Sequence, residues 1–198
     1  MDDRKYYYSK DEIEKKKKLI EDDFVSVIKH LDLDLNEEHL KETPKRIGKA
    51  FVKDVFYGLF HEPPDIKEFE ADGYQQMIIS RDIQFYSMCK HHLLPFFGRV
   101  SVGYIPNHTL VGLSKFARIV DYFSRRPQIQ LQLADDIVNY IEEKLKPKGC
   151  GVVVFGRHMC QEVVDPKIKS EMITTALRGI FLSTPNVKTE FLSNIGLF

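Results

Sequence analysis

An α+β fold is predicted: an N-terminal helical arm followed by a small antiparallel sheet that carries two helices. Three observations predict it. Apolar residues recur at helical spacing between Asp11 and about Leu31, short segments of strand character begin after Pro63-Pro64, and two helix-length stretches then lie between two pairs of strands. With 198 residues, 43% of them hydrophobic, the chain is long enough for one sizeable core. No Gly/Ser linker, low-complexity block or internal repeat divides it, so the expected organisation is an arm over residues 1–65 and a single structural unit over residues 66–198.

The elements follow in order. Residues 1–18 are polar and Lys-rich, and Lys15 to Lys18 read as the solvated outer face of a helix whose inner face carries Leu19, Ile20, Phe24, Ile28 and Leu31. Thr43-Pro44 supplies an N-cap and a first-turn proline for a second helix bearing Ile47, Phe51 and Val55. Strands are expected over 75–79, 83–87 and 97–105, the last ending at a Pro-Asn turn. Helices are expected from about Leu113 to Phe123 and from Ile129 to Leu145, separated by Arg125-Arg126-Pro127. Two strands, 151–158 and about 172–181, precede a short helix near Val187 to Leu192. So small a sheet leaves open edges, which a neighbouring copy of the chain would cover, so a homo-oligomer is expected.

Charge excludes several function classes. The 29 basic and 29 acidic residues cancel, so no global field favours nucleic acid or an anionic membrane surface. No apolar run approaches the roughly 20 residues that span a bilayer, and no apolar leader follows Met1. Three cysteines cannot all pair with one another. A reducing, cytoplasmic setting is expected, and it leaves thiols free for metal.

Cys89 and His92 form a Cys-x-x-His step in Ser87-Met-Cys-Lys-His-His-Leu-Leu-Pro-Phe-Phe-Gly98, and Cys160 closes His158-Met-Cys160. Two sulfurs and one imidazole make a three-ligand zinc set that leaves a fourth tetrahedral position for water, the pattern of a catalytic site. Each half also keeps a spare imidazole, His91 and His158, able to move protons near neutral pH. A structural zinc would need a fourth protein ligand, and Cys150, in Lys148-Gly-Cys-Gly151, reads instead as a small buried residue ahead of a strand.

These segments, with Gly103-Tyr-Ile-Pro106, Gly112-Leu-Ser-Lys-Phe-Ala-Arg-Ile-Val120, Arg125-Arg-Pro-Gln-Ile-Gln130 and Glu42-Thr-Pro-Lys-Arg-Ile47, resemble GTP cyclohydrolase I in order and spacing over about residues 20 to 195. The resemblance implies a tunnelling fold, in which β2α2β2 units of several subunits join into a barrel and two pentamers stack into a decamer with active sites between subunits. It implies hydrolysis of the imidazole ring of GTP to formate and 7,8-dihydroneopterin triphosphate, with zinc as cofactor. Cys89, His92 and Cys160 match the zinc ligands, and His91 and His158 match proton-shuttling histidines. Ser114, Lys115 and Arg118 match a phosphate-binding segment near a helix start, where free N–H groups favour an anion. Arg46 matches a residue reaching the triphosphate from a neighbouring subunit, and Gln130 is expected on the substrate side. The family's reductase branch carries its own nucleophilic-cysteine pattern, which has no counterpart here.

Two departures bear on the substrate. Where the family places a glutamate that accepts the N1 and N2 hydrogens of guanine, this chain has Leu131; Glu162 is a carboxylate that could take over the contact. Where an arginine binds triphosphate, it has Val164, in a segment one residue shorter than the family's, and Glu171 stands where a lysine is expected, although Lys167 or Lys169 could restore charge. Three readings stay open: GTP cyclohydrolase I proper, a zinc hydrolase of another purine or pterin-like compound, and a catalytically silent relative with an interaction role.

Overall fold

A computed structural model describes residues 8–198 apart from Leu113, Pro166 and Ile168. Its contacts separate a unit ending at Glu62 from a second over Pro63–Phe198. In the first, α1 (Lys10–His30) starts at a reciprocal cap: Glu12 N donates to Ser9 Oγ, while the Glu12 carboxylate accepts from Ser9 N at 2.8 Å. The bonds that Ser9 N and Ser9 Oγ donate to the Glu12 carboxylate hold it below its ordinary pKa. Pro44 lies in the first turn of α2 (Thr43–Ala50), which packs against α1. The expected single helix through Val55 is broken: Phe51–Val55 form a π-helical turn, and a short α3 (Tyr57–Phe60) follows. Phe51 sits edge-on to both Phe24 (5.4 Å) and Phe56 (5.0 Å), so the wider turn accommodates an aromatic cluster.

The second unit is built on a five-stranded sheet in the order β5-β2-β3-β6-β7, comprising β2 (Ile78–Cys89), β3 (Pro95–Ile105), β5 (Pro127–Gln128), β6 (Gly149–His158) and β7 (Met172–Gly179). All neighbours are antiparallel except β5 and β2. The two strands expected over 75–79 and 83–87 are one strand with a bulge between Ser80 and Ile83, where Asp82 has φ +58°. The polar Arg81-Asp82 pair breaks the alternation that marks a strand, yet the ladder resumes beyond it. A two-stranded ribbon of β1 (Glu68–Glu70) and β4 (Thr109–Val111) stands apart from the sheet. Its strands, three residues each, are too short to show an alternating pattern.

Helices α4 (Ser114–Ser124) and α5 (Gln130–Leu145) cover one face; α4 packs on β2 and α5 on β6 and β7. β6 is apolar on both faces. Cys150, Val152 and Val154 face the core under α4 and α5, while Val153 and Phe155 join Phe181, Phe191 and Leu192 of the C-terminal helices α7 (Ile180–Ser183) and α8 (Pro185–Asn194) on the other side. The paired glycines Gly103 and Gly151 make room there. A Cβ on Gly103 would lie 2.7 Å from the Phe191 ring, and one on Gly151 would lie 2.9 Å from it. Among the described residues, no helix is long and apolar enough to cross a membrane.

Candidate metal centre and active site

Strand direction explains why residues far apart in sequence meet. β2 and β6 both pair antiparallel with β3, so they run the same way and end at the same edge of the sheet. Cys89 is the last residue of β2, and Cys160 lies in α6 (Met159–Glu162), immediately beyond β6. Between β2 and β3 the chain turns tightly: Leu93 N donates to Cys89 O (2.8 Å), Cys89 N to Leu94 O (2.8 Å), and Leu93 takes φ +51°. That turn brings His92 back beside Cys89. Lys90 N also donates to Gln128 O (2.9 Å), tying the turn to β5.

Cys89 Sγ, Cys160 Sγ and a ring nitrogen of His92 lie within 4.8 Å of one another. Tetrahedral zinc, with bonds near 2.3 Å to sulfur and near 2.0 Å to nitrogen, sets two sulfurs roughly 3.8 Å apart and a sulfur and a nitrogen roughly 3.5 Å apart; Cys89 Sγ to His92 Nδ1 is 3.8 Å. The donor set, and the spacing of this pair, are compatible with zinc. His91 Nδ1 is as near to Cys89 Sγ, at 3.9 Å, but the three-donor group closes through His92. Burial, followed by the hydrogen bond and charge of Cys89, pushes the Cys160 thiol above its ordinary pKa. Two adjacent sulfurs resist losing both protons until a cation compensates them. Cys150 is buried elsewhere in the core, its thiol pushed up to about 12 by desolvation and donating to Val138 O, far from the role of a fourth ligand.

His158 ends β6 and lies flat on Phe96, with ring centroids 4.6 Å apart and planes 3° from parallel; the two are register partners. Desolvation lowers the His158 pKa, favouring the neutral ring. Its Nε2 is 2.8 Å from Gln130 Oε1. Gln130, expected on the substrate side, is 1% exposed, and its amide bonds within the protein, to Val154 O, Met172 O and His158. Phe96 has no functional signature of its own in the sequence. Its only signal was its place in Leu-Pro-Phe-Phe-Gly98 directly after the ligand turn.

Within the second unit, the residues of the phosphate-binding segment lie away from the metal cluster. Ser114 and Arg118 are exposed one turn apart on α4, and Lys115 is half-buried. They occupy the opposite end of the sheet: Val111, just before α4, donates to Tyr104, which pairs with Ile78 at the start of β2, whereas Ser87, near the end of β2, donates to Arg126 O just after α4. Helix α4 has 11 residues, so about 16 Å of helix separates its two ends. Arg46 is exposed on α2 of the first unit. Leu131 and Val164 are 57% and 79% exposed. Glu162 is gripped by Arg157 through two bonds of 3.0 and 2.7 Å, and Glu171 is held by Arg99 at 2.9 Å. Lys167 and Lys169 are exposed; Pro166 and Ile168 of the same segment lie outside the described residues.

Comparison with known proteins gives a consistent result. The apo archaeosine synthase QueF-Like aligns with 52% of this chain and 93% of its own at 22% identity and a TM-score of 0.43, too distant to bear on function. GTP cyclohydrolase 1 of Wolinella succinogenes is 40% identical over 92% of this chain and 99% of its own length. The corresponding proteins of Campylobacter jejuni strain RM1221 (43% over 90% and 95%) and Aquifex aeolicus (42% over 80% and 85%) are similar to the same degree. The GTP cyclohydrolase I family profile matches residues 20–196, a span that takes in both halves of the Cys89, His92 and Cys160 cluster, and the chain belongs to that family.

Proposed function

We propose that this chain is a zinc-dependent cyclohydrolase that converts GTP and water to formate and 7,8-dihydroneopterin triphosphate, in a reducing cytoplasmic setting. The observation that carries the reading is the convergence of Cys89, His92 and Cys160 beside His158 at one sheet edge. Zinc held by those three donors would bring water to nucleophilic strength at neutral pH. Release of C8 breaks two C–N bonds, and each departing nitrogen needs a proton. His158, kept neutral by burial and seated on Phe96, and the exposed His91 are the chain's proton carriers at this edge.

Ser114, Lys115 and Arg118, with Arg46, are proposed to hold the triphosphate. Within one chain α4 begins at the far end of the sheet from Cys89, which supports a site shared between subunits of a homo-oligomer, a decamer of two pentamers by family resemblance. A second reading is favoured by Leu131 and Val164: both are exposed aliphatic residues where base- and phosphate-binding groups are expected. On that reading the same centre opens another purine or a pterin-like compound. The deciding experiment incubates zinc-loaded protein with GTP and a panel of purine nucleotides and measures formate and oxidised, fluorescent pterin. Formate from GTP supports the first reading and formate only from another purine the second; none from any substrate refutes both and leaves a silent relative.

A further inference from the structure

We infer that Gln130 is a positioning residue, locking His158 in the tautomer that carries its hydrogen on Nε2 and leaves the lone pair on Nδ1. The inference rests on the proposed role of His158 as a proton carrier. Its geometry does not. Gln130 Nε2 lies 3.0 Å from Val154 O and 2.7 Å from Met172 O, with the Thr174 hydroxyl at 3.4 Å. Backbone carbonyls only accept, so the amide edge facing them must be the NH2, and both of its hydrogens are used there. A flipped amide would set its oxygen against two others in a site that is 1% exposed. The atom 2.8 Å from His158 Nε2 is therefore the carbonyl Oε1, an acceptor, and Nε2 must donate. In a neutral imidazole the other nitrogen then carries the lone pair.

The surroundings are shaped to hold this arrangement. Stacking on Phe96 fixes the plane of the His158 ring, and the bond to Oε1 fixes its rotation within that plane. Gln130 is the first helical residue of α5, two residues after β5 pairs with Met88 and Cys89, so the helix start is anchored to the strand that bears a metal ligand. Its side chain crosses β6 where there is no side chain to obstruct it: a Cβ on Gly156 would lie 2.3 Å from Oε1. One buried amide thus links β6, β7 and the imidazole.

The test uses full-length, zinc-loaded protein labelled with 15N-histidine. Magic-angle-spinning NMR above neutral pH reads the tautomer, with His158 assigned by the signal lost in His158→Asn. The wild type is expected to show hydrogen on Nε2. Gln130→Met should redistribute it towards Nδ1 and lower kcat for formate release by about 10- to 100-fold, as loss of an orienting partner does, with KM little changed. Gly156→Ala, which displaces the amide while Gln130 remains, should shift the tautomer in the same direction. Hydrogen on Nδ1 in the wild type overturns the proposal without reference to any variant, and so does an unchanged tautomer in a folded Gln130→Met chain. If no formate is produced but the tautomer shifts as described, the ring-opening function fails and the lock is upheld.

Discussion

Leu131→Glu tests how this chain recognises its base. Leu131 is the second helical residue of α5, next to the amide that contacts His158, and is 57% exposed. Its replacement therefore sacrifices little core packing. The first turn of α5 has no acidic residue, so a carboxylate there gains about 0.3–1 kcal/mol from the helix dipole. The fold should tolerate the change. If guanine binds beside Gln130 as the family resemblance implies, the new carboxylate accepts two N–H groups, each worth about 1.5–3 kcal/mol with a charged acceptor. Desolvating the carboxylate offsets part of this, so we take the lower total, about 3 kcal/mol, which is roughly 100-fold in kcat/KM for GTP. Inosine triphosphate lacks the 2-amino group and should gain only about 10-fold. Formate release from the two nucleotides, measured side by side, gives the ratio. A folded, zinc-replete Leu131→Glu protein whose GTP-to-ITP preference equals that of the wild type would refute the placement of the base at this helix start.

Three further outcomes are expected. Zinc uptake should release protons and tighten as pH rises between about 6 and 8, because the raised Cys160 thiol must deprotonate to bind; competition with a chromophoric chelator measures this, and a flat profile would argue against thiolate ligation. Gly103→Ala sets a methyl against the buried Phe191 ring and should cost about 1–3 kcal/mol. Phe191→Leu in the same chain should recover part of that cost in urea unfolding at fixed protein concentration, whereas strict additivity would mean the two residues do not interlock. If the metal and phosphate residues of one site come from different chains, Cys160→Ala and Arg118→Ala proteins, each inactive, should regain activity at about a quarter of sites when co-assembled in equal amounts. No gain over the parents would place both halves of the site in one chain.

How legible the site was in the sequence depended on whether its geometry is local. The Cys-x-x-His step could be read because a tight turn at a strand end brings positions three apart together, which spacing alone implies. Cys160 joined it by chemistry, since a second sulfur with a neighbouring imidazole matched the first half; that β2 and β6 run the same way could not be read from either segment. The bulge at Ser80 to Ile83 divides the apolar pattern into two segments around Arg81-Asp82, while the strand's continuity depends on pairing with β3. Gln130 exposes the limit most clearly. A glutamine at a helix start reads as available for ligand, and only the register of β6 with β7 places Val154 O and Met172 O where they take both amide hydrogens. That same register supplies Gly156, the gap the side chain needs to reach His158. Proposing His158 as a proton carrier therefore needs only residue chemistry. Identifying which nitrogen carries the proton needed three strands in register, because a tautomer is set by the partner across the bond.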